Sequence, residues 1–158
     1  MKISNPFKLI TSLLVCQLAG LIGSLFTMSK IPNWYMTLNK PELAPPNWIF
    51  GPVWTTLFVL MGIALYMVWK QGTDKKDVKI ALYIFGTQLI LNVLWSIIFF
   101  GLENPGSAFV EIISLWISIL LSIIYFYRIN KTAGYLLIPY IAWVSFASYL
   151  NFMIWGLN

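Results

Sequence analysis

Long apolar runs separated by short polar stretches dominate the chain. Each run has about the 20 residues that an α-helix needs to cross a hydrocarbon core of about 30 Å. The five runs are Leu9–Met28, Trp48–Trp69, Ile80–Gly101, Ser107–Tyr127 and Tyr135–Trp155. They lack the alternation of barrel strands, and a bilayer leaves backbone groups no partner outside a helix. The pattern predicts an all-α membrane protein, a single domain over residues 1–158 formed by a bundle of five transmembrane helices.

Composition and charge agree with a membrane protein. Hydrophobic residues make up 59% and charged residues 9% of the chain, whereas soluble domains are about 25% charged. The net charge of +5 comes from lysines that flank the predicted helices, so we expect a lipid bilayer and no nucleic acid as its partner. The first run is longer than the apolar core of a typical signal peptide, and we expect it to be a retained helix.

The distribution of basic residues predicts the orientation. Eight lie on the side of the N-terminus, and only two, Lys30 and Lys40, lie on the other. By the positive-inside rule the N-terminus is inside, and the C-terminus and the long loop at residues 29–47 are outside. We expect a multi-pass protein of the bacterial cell membrane. The eight basic residues are Lys2, Lys8, Lys70, Lys75, Lys76, Lys79, Arg128 and Lys131.

The missing residue types exclude the commonest catalytic sites. The chain has no histidine, and its one cysteine, Cys16, lies in an apolar run. A zinc cluster, an internal disulfide and a Ser-His-Asp or Cys-His site are therefore excluded. We expect no metal site, no required cofactor and no conventional enzyme.

A few polar residues inside the predicted helices need an explanation. Gln88, Asn92 and Ser96 share one face of the third helix and either link helices by hydrogen bonds or line a cavity. Glu111 lies one turn inside the fourth run, and either has a function or reaches the membrane surface. On the first helix, Ala19-x-x-x-Gly23 and Gly20-x-x-x-Ser24 permit close packing against a helix of this bundle or of a second copy.

The fifth run carries an aromatic face. A large indole at Trp143 is followed one turn later by a small alanine, which leaves a concave surface. This surface can accept a neighbouring helix or form the wall of a flat pocket. Pro139 is expected to weaken or kink the start of the helix. The residues on this face are Tyr140, Trp143, Ala147, Leu150 and Asn151.

Four motifs, in order along nearly the whole chain, carry a resemblance to a known family. The chain resembles the TspO/MBR family, which includes bacterial tryptophan-rich sensory proteins and the mitochondrial translocator protein, or peripheral-type benzodiazepine receptor. The motifs are Trp34-Tyr35-x-x-Leu38-x-Lys40-Pro41; Pro45-Pro46-x-Trp48-x-x-Gly51-Pro52-x-Trp54; Gln88-x-x-x-Asn92-x-x-Trp95 with Phe99-Phe100-Gly101; and Leu137-x-Pro139-Tyr140-x-x-Trp143-x-x-Phe146-Ala147-x-x-Leu150-Asn151.

The resemblance implies a homodimer whose bundle holds a ligand pocket beneath the long loop, which acts as a lid. The prolines would hold Trp54 at the pocket, and Lys30 or Lys40 would meet ligand carboxylates at its mouth. The implied ligand-binding residues are Tyr35, Phe50, Gly51, Val53, Trp54, Phe58, Asn92, Trp95, Trp143, Ala147 and Leu150, and the implied lid residues are Trp34, Lys40, Pro41, Pro45, Pro46 and Trp48.

The resemblance also implies the ligand class. Family members bind porphyrins such as protoporphyrin IX and isoquinoline carboxamide or benzodiazepine-type ligands, so we expect a tetrapyrrole sensor or scavenger, with weakly held haem as another ligand. One alternative is a photo-oxidase that degrades porphyrin beside Trp54 and Trp143, and a second is a transporter of porphyrins or other lipophilic metabolites. Cholesterol binding is not expected, because Phe152 and Gly156 replace the tyrosine and arginine of the mitochondrial motif.

Overall fold

The computed structural model describes residues 5–158, and all the long elements in that range are helices. We number the α-helices in chain order. They are α1 (Pro6–Thr27), α2 (Phe50–Trp69), α3 (Lys76–Ser96), α4 (Pro105–Ile129), α5 (Lys131–Leu136) and α6 (Ile138–Leu157). A 3-10 turn, Asn47–Ile49, leads into α2, and a π-helical turn, Ile97–Gly101, extends α3. Five segments are long and apolar enough to cross a membrane, which confirms the predicted architecture.

Helices α1 and α4 begin earlier than their apolar runs because polar caps start them. Asn5 accepts a hydrogen bond from the Lys8 backbone N–H, and Asn104 accepts one from the Ser107 N–H, at 3.1 and 2.9 Å. A proline follows each cap, where its missing N–H costs nothing. Caps of this kind satisfy helix donors that a count of apolar residues ignores.

The fifth predicted helix is two helices in the structure. Asn130 ends α4 and caps α5 through a 3.0 Å bond from the Ala133 N–H. The short α5 ends at Leu136, and α6 begins at Ile138 with Pro139 in its first turn. The prediction of one helix from Tyr135 to Trp155 is therefore wrong at its start. Pro139 begins a helix there, where proline is tolerated, and does not kink one.

The packing order of the helices leaves a space inside the bundle. Helix α1 packs against α2 and α3, α4 packs between α3 and α6, and α5 packs against α2. The backbone of α6 therefore lies against α4, on the opposite side of the bundle from α1. At the end of the bundle where the N-terminus lies, a hydrophobic core fills this space. In that core Phe85 stacks on Phe126 with their ring centroids 5.2 Å apart. At the other end, towards the long loop, the space between the helices remains open.

The small residues of α1 pack within this bundle. A Cβ on Gly20 would meet the Phe58 ring at 2.6 Å, and one on Gly23 would meet the Ser96 hydroxyl at 3.1 Å. The small residues of α1 could pack against a helix of this bundle or of a second copy. In the structure Gly20 and Gly23 pack against α2 and α3 of the same chain. Large apolar residues on the other face of α1, such as Leu25 at 74% exposure, are left for lipid.

The close crossing of α1 and α2 depends on Gly62 of α2. A Cβ there would lie 2.9 Å from the Leu13 Cα and 3.2 Å from the Ser12 carbonyl oxygen, both backbone atoms that cannot rotate away. We therefore expect Gly62→Ala to lower the free energy of unfolding in detergent by about 1–3 kcal/mol. Gly86 on α3 has no atom within 4 Å of its Cβ position and is the matched control. Equal loss of stability in Gly86→Ala would contradict this explanation.

Candidate ligand-binding cavity

The open half of the bundle forms a cavity of about 500 Å³ below the long loop. Ligand pockets in proteins commonly enclose about 300–1,000 Å³. Its walls come from α1, α2, α3 and α6, and residues of the loop and of the π-helical turn cover it. Most of the lining is apolar or aromatic, with a few polar groups among them. A cavity of this size and lining suits a lipophilic small molecule.

Helix α2 supplies one aromatic wall. The Trp54 indole stacks on Phe58 with the ring centroids 5.6 Å apart, and meets Tyr140 of α6 edge-on at 6.2 Å. Phe58 in turn fits against Gly20, where any side chain would collide with its ring. The glycine on α1 therefore fixes Phe58, and Phe58 fixes the plane of the Trp54 indole.

Helix α6 supplies the facing wall. Trp143 meets Phe50 edge-on, with the ring centroids 5.9 Å apart. The Trp143 Nε1 is buried and has no hydrogen-bond partner. Ala147, one turn further along, also lines the cavity and leaves room beside the indole. The indole ring therefore contributes its apolar surface to the cavity, while its N–H is enclosed by the protein.

A buried hydrogen-bond relay joins α3 to α6 beside the cavity. The Asn92 side-chain amide donates to the Tyr140 hydroxyl at 2.9 Å, and that hydroxyl donates to the Gln88 Oε1 at 2.8 Å. The Gln88 amide reaches the sulfur of Met61 at 3.8 Å. The sequence left open whether these residues link helices or line a cavity. Gln88 links helices, whereas Asn92 both links helices and lines the cavity.

A second relay joins α3, α6 and the start of α4. The Trp95 indole N–H donates to the Asn151 Oδ1 at 2.9 Å, and the Asn151 amide donates to the Pro105 carbonyl at 2.7 Å. Both side chains also line the cavity. Asn151 is 1% exposed, so its amide is satisfied by the protein alone. The relay holds the Trp95 ring in the wall.

Aromatic residues of the loop close the cavity from above. The Trp34 and Tyr35 rings pack on Phe99 and Phe100 of the π-helical turn, with centroid distances of 5.6–6.4 Å. Tyr35 is 5% exposed, and its burial raises the pKa of the phenol. The phenol is consequently neutral at ordinary pH, as its apolar surroundings require.

Polar contacts fasten both ends of this part of the loop. Lys30 forms an ion pair of 2.6 Å with Glu103 in the turn before α4. Asn39 exchanges two hydrogen bonds with Asn158 after α6, from its own N–H at 2.9 Å and to its own carbonyl at 3.0 Å. Lys40 donates to the carbonyls of Tyr35 and Leu38. The two lysines expected at the pocket mouth are thus engaged by the protein itself.

The structure gathers most of the residues implied by the family motifs. All of the eleven ligand-binding residues except Val53 line the cavity. Val53 packs against the core instead. Of the six lid residues, Trp48 lines the cavity and Trp34 packs on its aromatic cover, while Lys40, Pro41, Pro45 and Pro46 lie outside the lining. Pro46 caps the 3-10 turn that starts the second span.

The wall formed by α1 was missed. Small and hydroxyl residues recur along one side of this helix, and that spacing was interpreted only as helix packing. The same residues face the cavity because their short side chains leave it open. The lining residues from α1 and the start of the loop are Gln17, Gly20, Leu21, Gly23, Ser24, Thr27, Met28 and Ile31.

Glu111 lies within the bundle. It is 8% exposed, and neither carboxyl oxygen has a hydrogen-bond partner. The interpretation that it reaches the membrane surface is therefore wrong, because α4 begins at Pro105 and places Glu111 on its inward face. It does not line the cavity.

Comparisons with known proteins agree with this arrangement. The model of the TspO/MBR family matches residues 12–156. The chain belongs to the TspO/MBR family. It is 48% identical over 155 residues to the tryptophan-rich protein TspO of Archaeoglobus fulgidus, covering 98% of this chain and 99% of that protein. It is 37% identical over 145 residues to the human translocator protein, covering 90% and 85%.

A third relative carries a functional name. The tryptophan-rich sensory protein of Cereibacter sphaeroides is 33% identical over 150 residues, covering 94% of this chain and 90% of that protein. Family membership and the five helices together establish a multi-pass membrane protein of the TspO and translocator type. The relatives match over nearly their whole length, so the cavity belongs to the part of the chain that they share.

The relay through Tyr140 gives a stability prediction. Tyr140→Phe removes the hydroxyl that both Asn92 and Gln88 use, so we expect the free energy of unfolding in detergent to fall by about 1–2 kcal/mol. Tyr149→Phe on the same helix, where the side chain is 40% exposed, should change it by less than about 0.5 kcal/mol. Equal effects of the two changes would show that the relay contributes no stability.

Proposed function

We propose that this TspO/MBR protein is a membrane sensor or scavenger that binds a tetrapyrrole of the protoporphyrin IX class in the cavity. The observation that carries the proposal is an apolar cavity of about 500 Å³ whose walls include the indoles of Trp54, Trp95 and Trp143. Aromatic rings attract one another by about 0.5–1.5 kcal/mol beyond the burial of their area. A large flat aromatic ligand makes the fullest use of such walls.

Contact between rings, and not hydrogen bonding, dominates this binding. A porphyrin, an isoquinoline carboxamide or a benzodiazepine-type molecule would lay its rings against those of Trp54, Trp95 and Trp143. The polar groups of the wall, Asn92 and Asn151, already have partners in the protein. A ligand therefore gains a hydrogen bond from them only by replacing an existing one.

A porphyrin-degrading photo-oxidase is the alternative that the geometry favours next. Trp54 and Trp143 both line the cavity, so two oxidisable rings would lie beside a bound porphyrin. Such a reaction needs light and dioxygen and requires no acid–base pair. Sensing accounts for the cavity without it, and one of the relatives is named as a sensory protein.

The proposal includes a location and an orientation. We propose that the protein lies in a bacterial cell membrane. We propose that its N-terminus is inside, because Lys8, Lys70 and Arg128 lie at the ends of α1, α2 and α4 away from the long loop. A homodimer is proposed on the apolar outer faces of α1 or α3, where Leu25 and Ile90 are 74% and 70% exposed.

Binding is tested by titrating the purified protein with protoporphyrin IX and following tryptophan fluorescence. We expect saturable quenching, and Trp143→Phe should weaken the affinity about twofold to tenfold, because a phenyl ring offers less aromatic surface than an indole. Trp155→Phe is the matched control, since Trp155 is 51% exposed and lies outside the cavity. Binding that does not saturate, or equal weakening by both changes, would overturn the proposal.

Illumination of the complex separates binding from degradation. A sensor should keep its Soret band under light in the presence of dioxygen. Bleaching that is lost in Trp54→Phe, with affinity retained, would establish the photo-oxidase instead. Trp155→Phe again serves as the control for general photodamage.

A further inference from the structure

A second cavity lies at the opposite end of the bundle from the long loop. It is an open groove of about 370 Å³ where α2 ends, α3 begins and α4 ends. Its walls combine a basic rim with an apolar floor. The rim is formed by Lys75, Lys76 and Arg128, with Gln71 and Asp77 beside them, and the floor by Val78 and Ile129.

The three cations of the rim form no ion pair with any residue that the structure describes. Among residues 5–158 the one ion pair is that of Lys30 with Glu103, at the other end of the bundle. Asp77 is the one carboxylate in the lining. Three cations and one carboxylate leave this cavity with a net charge of +2. A bound anion would balance this charge.

The rim is one part of the basic end of the molecule. Lys8 donates to the Trp69 carbonyl at 3.3 Å, and the Lys70 ammonium lies 5.2 Å from the centre of the Tyr66 ring. The Arg128 guanidinium of the rim likewise lies 5.8 Å from the centre of the Tyr125 ring. Lys79 and Lys131 are exposed, as the three cations of the rim are, but they lie outside the cavity. The positive-inside rule explains a basic end of the molecule, but it requires no concave arrangement. The cavity therefore needs an explanation of its own.

The position of the cavity indicates which anion fits. It lies where two segments long and apolar enough to cross a membrane end and a third begins. In a bilayer this position would put the apolar floor at the border of the hydrocarbon and the basic rim among the polar head groups. Val78 is 1% exposed, which shows that the floor is closed by the core. Backbone N–H groups at the start of α3 add to the positive potential, and Asp77 in the first turn offsets part of it.

We propose that this cavity binds a phosphate group, with Lys76 and Arg128 as its principal partners. An arginine guanidinium contacts two oxygens of a phosphate at once, and lysine adds a point charge. The phosphate belongs to an anionic phospholipid, whose glycerol and upper chain would cover Val78 and Ile129, or to a soluble phosphate ester. The site is separate from the tetrapyrrole cavity and does not depend on it.

The test is native mass spectrometry of the purified full chain in neutral detergent, with phosphatidic acid or phosphatidylcholine added at equal concentration. We expect phosphatidic acid to be retained in preference. The double change Lys76→Gln with Arg128→Gln should lower its apparent affinity about tenfold or more, since each basic residue near a membrane surface contributes substantially to attracting anionic lipid. A separate arm adds millimolar inorganic phosphate as competitor.

Lys79→Gln with Lys131→Gln is the matched control, because it removes the same charge from the same end without touching the cavity. Retention of phosphatidic acid by the control and its loss from the cavity variant supports the site. Displacement by inorganic phosphate then assigns a soluble phosphate, and resistance to displacement assigns a lipid head group. Equal loss in both variants, or loss in neither, overturns the proposal. Unchanged helical circular dichroism shows that each variant is folded.

Discussion

The hydrogen bonds that hold α6 to α3 and α4 are the constraint on which the cavity depends. Apolar side chains gain little by associating inside a bilayer, because lipid tails are as apolar as they are. Polar bonds and close packing therefore decide where each helix lies. The Tyr140 hydroxyl and the Asn151 amide provide those bonds on α6. With α6 held on this side, its aromatic face meets the open space beside α2.

Helix α1 completes the enclosure by a different kind of contact. It has no buried hydrogen-bond relay of this type and approaches α2 and α3 through Gly20, Gly23 and Gly62. Small residues allow dispersion contacts over a long crossing, which is the usual substitute for the hydrophobic effect in lipid. On one side of the cavity the helices are therefore held by hydrogen bonds, and on the other side by close packing of small residues. Both kinds of contact leave aromatic side chains in the cavity wall.

The sequence was most informative where a pattern has one physical solution. Apolar length alone predicts the five spans, and the spacing of Gln88 and Asn92 predicts a shared inward face. It was least informative where one pattern serves two purposes. The glycines of α1 pack helices and also open the cavity, and their spacing does not separate these roles. The end of one helix at Leu136 and the start of another at Ile138 are set by a local turn that hydropathy does not detect.

The family motifs identified residues by type, and the structure adds which of their polar atoms are already used. Val53 was implied as a ligand-binding residue by its place beside a motif but packs against the core. Lys30 was expected at the mouth but is paired with Glu103. Only the structure shows that these side chains already have contacts within the protein, because the contacting residues are distant in the chain. The unpaired Trp143 N–H is the opposite case, since the sequence gives no sign that it lacks a partner.

Engagement of Lys40 has a consequence for ligands that carry carboxylates. Its ammonium donates to the carbonyls of Tyr35 and Leu38 and lies 4.8 Å from the centre of the Tyr35 ring, so it holds the loop segment that covers the cavity. A carboxylate at the mouth competes with these contacts, whereas an uncharged ring in the cavity leaves them intact. In the proposed tetrapyrrole complex, the ligand carboxylates and the cover would therefore compete for the same cation. The aromatic walls would then supply most of the binding strength, and the carboxylates would act mainly on the closure of the loop.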